Sequence, residues 1–220
     1  MMQSIEKGHV SFYLGIMKTL EDIAEIRMGV TLRGRDATRA VEAGSCRLVR
    51  ISDISQDGTW VNEVFAAIEP AERIREEQFL KSGDVLFPNR GTRTTAIVYR
   101  LGDVRALAGA QFFVLRPDAA QVLPEYLAWF LRTGQAARHF EERRKGTYVQ
   151  IVQRRDIAEL AIPLPPLEKQ RKIVEVAALA VEERILMERL AAMKAELING
   201  QLVEVASEPF NAEELKNEQN

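Results

Sequence analysis

Apolar and polar positions change rhythm along this chain. From Cys46 to about Pro117 the apolar residues come in short groups rich in Val, Ile, Phe and Tyr, bounded by Gly, Asp, Asn or Pro. "CRLVRISDI", "GTWVNEVFAAI", "GDVLFPNRG", "TAIVYRL" and "AQFFVLRP" have the length and punctuation of strands joined by turns. Ahead of them, "TLEDIAEIR" (Thr19–Arg27) predicts an opening turn or short helix, with Thr19 and Asp22 spaced as a capping box. Behind them, "PEYLAWFLR" from Pro124 predicts a helix with proline in its first turn. A basic loop, "EERRKGTYVQ", comes next, and "DIAELAIPLPPL" predicts a returning strand. The fold class expected is α+β: a mixed globular domain over residues 19–165, preceded by an extension over residues 1–18.

The second rhythm begins after Pro163, Pro165 and Pro166. Proline cannot donate to a sheet and disfavours helix in the residue before it, so these three predict a stiff seam from which a helix departs. Residues 166–205 predict one long helix of coiled-coil type. Val176 at position a places Leu179 at d, Glu183 at a, Leu186 at d, Leu190 at a, Met193 at d and Leu197 at a. Ile173, Ala180 and Met187 fall at e and broaden the stripe. Such a helix is ~60 Å long at 1.5 Å per residue. A domain of this size is only ~35 Å across. Packed on its own domain, it would overhang water, so the stripe predicts pairing with another helix.

Composition sharpens this picture only locally. The net charge of −2 and the 46% apolar content describe an ordinary globular chain. The tail Val203–Asn220 holds five acids and one lysine, so residues 1–202 carry +2. Its end, residues 206–220, predicts a disordered acidic segment. Arg132–Arg155 carries seven Arg or Lys against two Glu, and Arg27–Arg50 carries six Arg against two acids. Surface fields are screened within roughly 8–10 Å, so such local clusters matter more than the total. The lone Cys46 cannot form an internal disulfide and fits a reducing cytoplasm. No stretch has the ~18 apolar residues of a membrane span.

Sites for chemistry are missing from the sequence. "GTRTTA" lacks the second glycine and the Lys-Ser/Thr pair of a phosphate loop, and His9 and His139 stand alone without metal-ligand spacing. Cys46 has no histidine near it in sequence. No cofactor site and no catalytic constellation are expected. Three loops instead suit nucleic-acid recognition: Arg33 and Arg35 in "GVTLRGRD", Arg90, Thr92, Arg93 and Thr94 in "PNRGTRTT", and Arg143, Arg144, Lys145, Thr147, Tyr148 and Gln150 in "ERRKGTYVQ". Cations and hydroxyls bind phosphate oxygens, and Arg and Gln also read base edges. The plain alternative for each cluster is a solvated surface.

The order "TLEDIAEIRMGVT", "RLVRISDI", "FLKSGDVLFPNRG", "YLAWFL", a Gly-containing basic loop and "AIPLPPLEKQRKIVEV" resembles the specificity subunit of type I restriction-modification systems. The likeness runs from Thr19 to about Leu202, and includes Gly29, Gly83 and Asp84. It implies a non-catalytic subunit whose target recognition domain reads one half of a bipartite site in double-stranded DNA. Its long helix would act as spacer and bind adenine methyltransferase subunits, with a restriction motor-nuclease subunit as a further partner. Members usually carry two recognition domains and two long helices, and this sequence carries one of each. That departure implies a homodimer through the C-terminal helix. A rival reading is a partner-binding adaptor of a phage-defence or toxin–antitoxin system that reuses the fold without sequence-specific DNA binding.

Overall fold

The computed structural model describes residues 16–33, 39–55, 58–61, 64–91, 95–101, 104–143 and 151–207. The chain divides into two compact units, Met1–Val174 and Glu175–Asn220.

In the first unit the capping box forms as its spacing predicts. The backbone N–H and the hydroxyl of Thr19 both donate to Asp22 Oδ2, at 3.1 and 2.6 Å, and these bonds hold the Asp22 carboxyl below its ordinary range. The helix they start, α1 (Leu20–Ile23), lasts one turn. The chain then becomes strand β2 (Ala24–Met28), with Ala24 and Ile26 buried and Glu25 exposed. Alternation of period two wins over helix propensity here, because β2 pairs along its length with β8 (Phe112–Pro117).

β8 also pairs with β5 (Val85–Pro88), which pairs with β6 (Ile97–Val98), giving an antiparallel sheet in the order β2-β8-β5-β6. A second sheet has the order β4-β3-β7, from Ala66–Ile68, Cys46–Val49 and Ala106–Ala108, with β3 and β7 parallel. A short pair joins β1 (Met17–Thr19) to β9 (Ala161–Pro163), so the last residues of the expected N-terminal extension are a strand of the domain. Three helices, α2 (Pro124–Leu131), α3 (Gly134–Arg143) and α4 (Arg154–Ala158), complete the unit.

Side-chain alternation sorts these elements into layers. Val85 and Phe87 of β5 and Phe113 and Leu115 of β8 face a core shared with α2, α3 and α4. Leu86, Phe112 and Val114 point the other way, onto Val49, Ala106 and Ala108 of the second sheet. The first sheet is buried on both faces, which is why β5 reads as an unbroken apolar run.

Two expectations are corrected. Glu141–Arg143 belong to α3 instead of a loop, because Ala136 and Phe140, four apart, bury one helical face. "DIAELAIPLPPL" is not one strand: Asp156–Ala158 complete α4, and only Ala161–Pro163 are extended.

The helix α5 runs from Leu167 to Ser207, 41 residues. Its first turns belong to the first unit. Gln170 is fully buried, donating to the carbonyls of Gln121 and Pro165 and accepting from the Leu123 N–H. Ile173 and Val174 pack against the α2–α4 core. From Glu175 onward every described residue is exposed except Ala177.

Candidate nucleic-acid interface

The sheet register decides which loops meet. Met28, the last residue of β2, lies opposite Phe113 near the start of β8, and Pro88, the last of β5, lies opposite Phe112. The chain therefore leaves β2 and β5 at the same end of the sheet. Gly29 makes this possible: a Cβ there would stand 2.0 Å from the Gly109 carbonyl oxygen, so only glycine fits. Asn89 closes the same end. Its N–H donates to the Gln111 carbonyl at 2.8 Å, its Nδ2 donates to the Ala110 carbonyl at 2.8 Å, and its own carbonyl accepts from the Val152 N–H at 3.0 Å.

That last bond brings together two basic segments far apart in sequence. Arg90, exposed, bridges antiparallel to Ile151. Asn89 and Arg90 are thus held beside Ile151 and Val152. Gly91, at φ 84°, turns the chain where other residues would be strained. Thr92, Arg93 and Thr94 lie outside the described residues, as do Arg144, Lys145, Thr147, Tyr148 and Gln150, and Arg35 of the first loop. Arg143 is less free than the sequence suggests: it ends α3, is half-buried, and donates to the His139 carbonyl at 3.3 Å.

Arg33 is exposed and lines a polar cavity of about 300 Å³ with Thr31, Glu72, Arg73, Arg75 and Gln78. Three guanidinium groups and one carboxylate give this lining a positive balance. Arg73 and Arg75 escape notice in the sequence because "ERIREE" reads as a solvated mixture of charges.

Behind this surface lies a buried ion cluster. Asp84 has 1% of its side chain exposed and takes a two-pronged bond from Arg116, Nε at 2.8 Å and Nη2 at 2.9 Å. Arg27 Nη2 stands 3.6 Å away, and its guanidinium donates to the carbonyls of Gln78 and Phe79. The paired bonds to Asp84 push Arg116 up, whereas burial pulls Arg27 down. Gly83, at φ 94°, makes the turn that delivers Asp84 to this cluster. The Gly-Asp pair of "SGDVLF" is therefore architectural: its carboxylate is committed to two arginines inside the fold.

Along α5, Val176, Leu179, Leu186, Leu190, Met193 and Leu197 are exposed, each by 47% or more. Ile173, placed at e by the heptad, instead packs on its own domain.

The family described as type I restriction modification DNA specificity domain matches residues 16–177. The chain belongs to this family. Among curated specificity-domain proteins it is 27% identical over 175 residues to the putative type I restriction enzyme MjaX specificity subunit of Methanocaldococcus jannaschii, covering 73% of this chain and 38% of that protein. It is 28% identical over 101 residues to the type I restriction enzyme HindI specificity subunit of Haemophilus influenzae, covering 44% of this chain and 22% of that protein. The chain thus spans well under half the length of these relatives.

Solved structures share the specificity-domain fold. One, from work on complex assembly and conformational transition of the type I R-M system, aligns with TM-score 0.63 at 20% identity, over 87% of this chain and 45% of its own. The HsdS subunit from Thermoanaerobacter tengcongensis aligns with TM-score 0.57 at 18% identity, over 84% and 42%. Among the described residues no helix is long and apolar enough to cross a membrane, and no group of three or more His, Cys, Asp or Glu could hold a metal ion.

Proposed function

We propose that this chain is the sequence-specific DNA-recognition subunit of a type I restriction-modification complex, reading one half of a bipartite site. The observation that carries this is the Arg90–Ile151 bridge, which joins two sequence-distant segments at one end of a specificity-domain fold. The Arg33, Arg73 and Arg75 cavity adds a second group of cations suited to phosphate oxygens. Phosphate contacts set affinity and register, and base contacts set sequence.

In this reading the chain carries no chemistry of its own. Adenine methyltransferase subunits, and a motor-nuclease where the system has one, supply it, and the exposed stripe of α5 binds them and a second copy of the chain. Residues 19–165 would be the recognition domain and 166–205 the assembly helix. Calorimetry of the isolated chain should find no micromolar binding of S-adenosylmethionine. Such binding would overturn the non-catalytic reading.

Two identical copies related by a twofold axis read identical half-sites in inverted orientation. The methylated sequence should therefore be an interrupted palindrome, read by mapping modified adenines in the source genome. The direct test is a gel-shift titration with the methyltransferase subunit present, comparing the chain with its Arg143→Ala, Arg144→Ala, Lys145→Ala triple variant. The variant should bind all sequences more weakly, with the log–log salt slope flattened by about 0.9 per lost contact. No specific complex with any duplex would sink the proposal.

A further inference from the structure

The end of the sheet at which the chain leaves β2 and β5 carries two apolar side chains that the core does not use. Met28 is 48% exposed and Ile151 is 43% exposed. They are neighbours of one place in the fold. Ile151 bridges Arg90, and Asn89 Nδ2 lies 3.7 Å from Met28 Sδ while its carbonyl holds the Val152 N–H. Met28, Arg90 and Ile151 therefore surround Asn89, which is 2% exposed. Asn89 Oδ1 is buried and has no hydrogen-bond partner among the described residues. A buried acceptor without a donor carries an uncompensated desolvation penalty, and fully folded proteins keep few of them.

A phosphate contact has no use for exposed methionine and isoleucine, because the backbone is read by cations, hydroxyls and N–H groups. A base edge does. In the major groove a guanidinium forks onto guanine O6 and N7, while apolar side chains pack against the thymine methyl group. We propose that Met28, Arg90 and Ile151 form a base-reading patch for a guanine flanked by thymine. Asn89 is its positioning residue, tying the ends of β2 and β5 to the turn before β8. The inference rests on the DNA-recognition reading and deepens it: it separates residues that choose the sequence from the arginines that hold the backbone.

The test is selection from a randomised duplex library by the chain assembled with its methyltransferase subunit. Wild type is compared with Met28→Ala, Ile151→Ala and the double variant. The variants should lose roughly 10- to 100-fold discrimination at one or two adjacent base pairs. Their salt slope should stay that of wild type, because no cation is removed. Both side chains are about half in water, so melting temperatures should hold. Met28→Gln and Ile151→Thr, which keep most of the volume but replace apolar surface, should give the same relaxation. Variants that keep the wild-type preference, or that lose affinity equally for every sequence, overturn the patch alone. A wild-type complex that enriches no sequence sinks the DNA-recognition reading and the patch with it.

Discussion

Around Asp84, strong groups are turned inward and paired; along Glu175–Ser207, large apolar groups are turned outward. In the first region two arginines share one carboxylate and take up the carbonyls of Gln78 and Phe79, and Arg27 Nε is buried without a partner among the described residues. In the second, Leu179, Leu186, Leu190 and Leu197 each keep 47% or more of their surface exposed. The first region closes a fold. The second keeps hydrophobic surface that an isolated helix gains nothing from, and burial against a partner would return about 25 cal/mol for each square ångström covered. Large contiguous exposed apolar patches are characteristic of interaction surfaces. Damage to the first region should therefore appear as lost stability, and damage to the second as lost association.

The largest effect expected is that of Asp84→Ala. Removing the carboxylate leaves Arg116 and Arg27 in a mostly buried site without their counter-charge. Breaking one side of a buried ion pair costs about 3–5 kcal/mol, and the lower end applies here because both arginines keep some solvent, 23% and 17% exposed. Urea unfolding followed by tryptophan fluorescence should shift accordingly, while the helix stripe keeps its capacity to associate. A midpoint unchanged within error would mean that solvent, and not Asp84, neutralises the pair.

Leu190→Asp is the converse. Leu190 is 47% exposed, so the variant should fold as stably as wild type. Buried in a helix seam, the new carboxylate should cost several kcal/mol of association, since a charge cannot be desolvated without a partner. Light scattering, alone and with the methyltransferase subunit, reads the result. An oligomer of unchanged size in both would remove the stripe from the assembly surface.

Alkaline pH gives a third, smaller effect confined to the first region. Tyr99 is fully buried, and its hydroxyl donates to the carbonyls of Leu101 and Val104. Burial pushes this phenol up to about 12. The unfolded chain loses the proton near pH 10 and the folded chain holds it, so stability is fully present below about 10 and falls as pH rises, by roughly 1.4 kcal/mol per unit. Tyr99→Phe should flatten that fall. An equally steep loss in the variant would assign it to Tyr126, whose phenol burial also raises.

These contrasts also explain what the sequence could tell. The long helix was legible because one face repeats for many turns, and the capping box because its partners are three residues apart. Strand β7 was missed: Ala106, Leu107 and Ala108 are buried on both faces, so they show no alternation. α3 was missed because only Ala136 and Phe140 of its ten residues are buried. Gly83 and Asp84 stood out in the sequence, but their role did not, since Arg116 and Arg27 lie 32 and 57 residues from Asp84. The meeting of Met28, Asn89, Arg90 and Ile151 depends on sheet register and a bridge across 61 residues, which no local pattern encodes. Likewise Ile173 fits the heptad by position, yet helix periodicity alone cannot say where a domain's own core stops covering a helix.

The smallest effect expected tests whether the cavity beside Arg33 belongs to the surface that meets DNA. Arg73 and Arg75 are exposed, and the Arg75 Nε contact to Glu77 at 3.2 Å is a solvated pair that contributes little to folding. Replacing both by Ala should therefore leave the unfolding midpoint in place, unlike Asp84→Ala. It should also leave the oligomer intact, unlike Leu190→Asp. If each arginine holds one phosphate, the slope of log affinity against log salt should become shallower by about 0.9 for each, and affinity should fall by the same factor on every sequence. The measurement is a salt titration of the complex on a specific and a scrambled duplex. A slope equal to that of wild type would make Arg73 and Arg75 solvated surface, and leave Arg33 to hold the backbone.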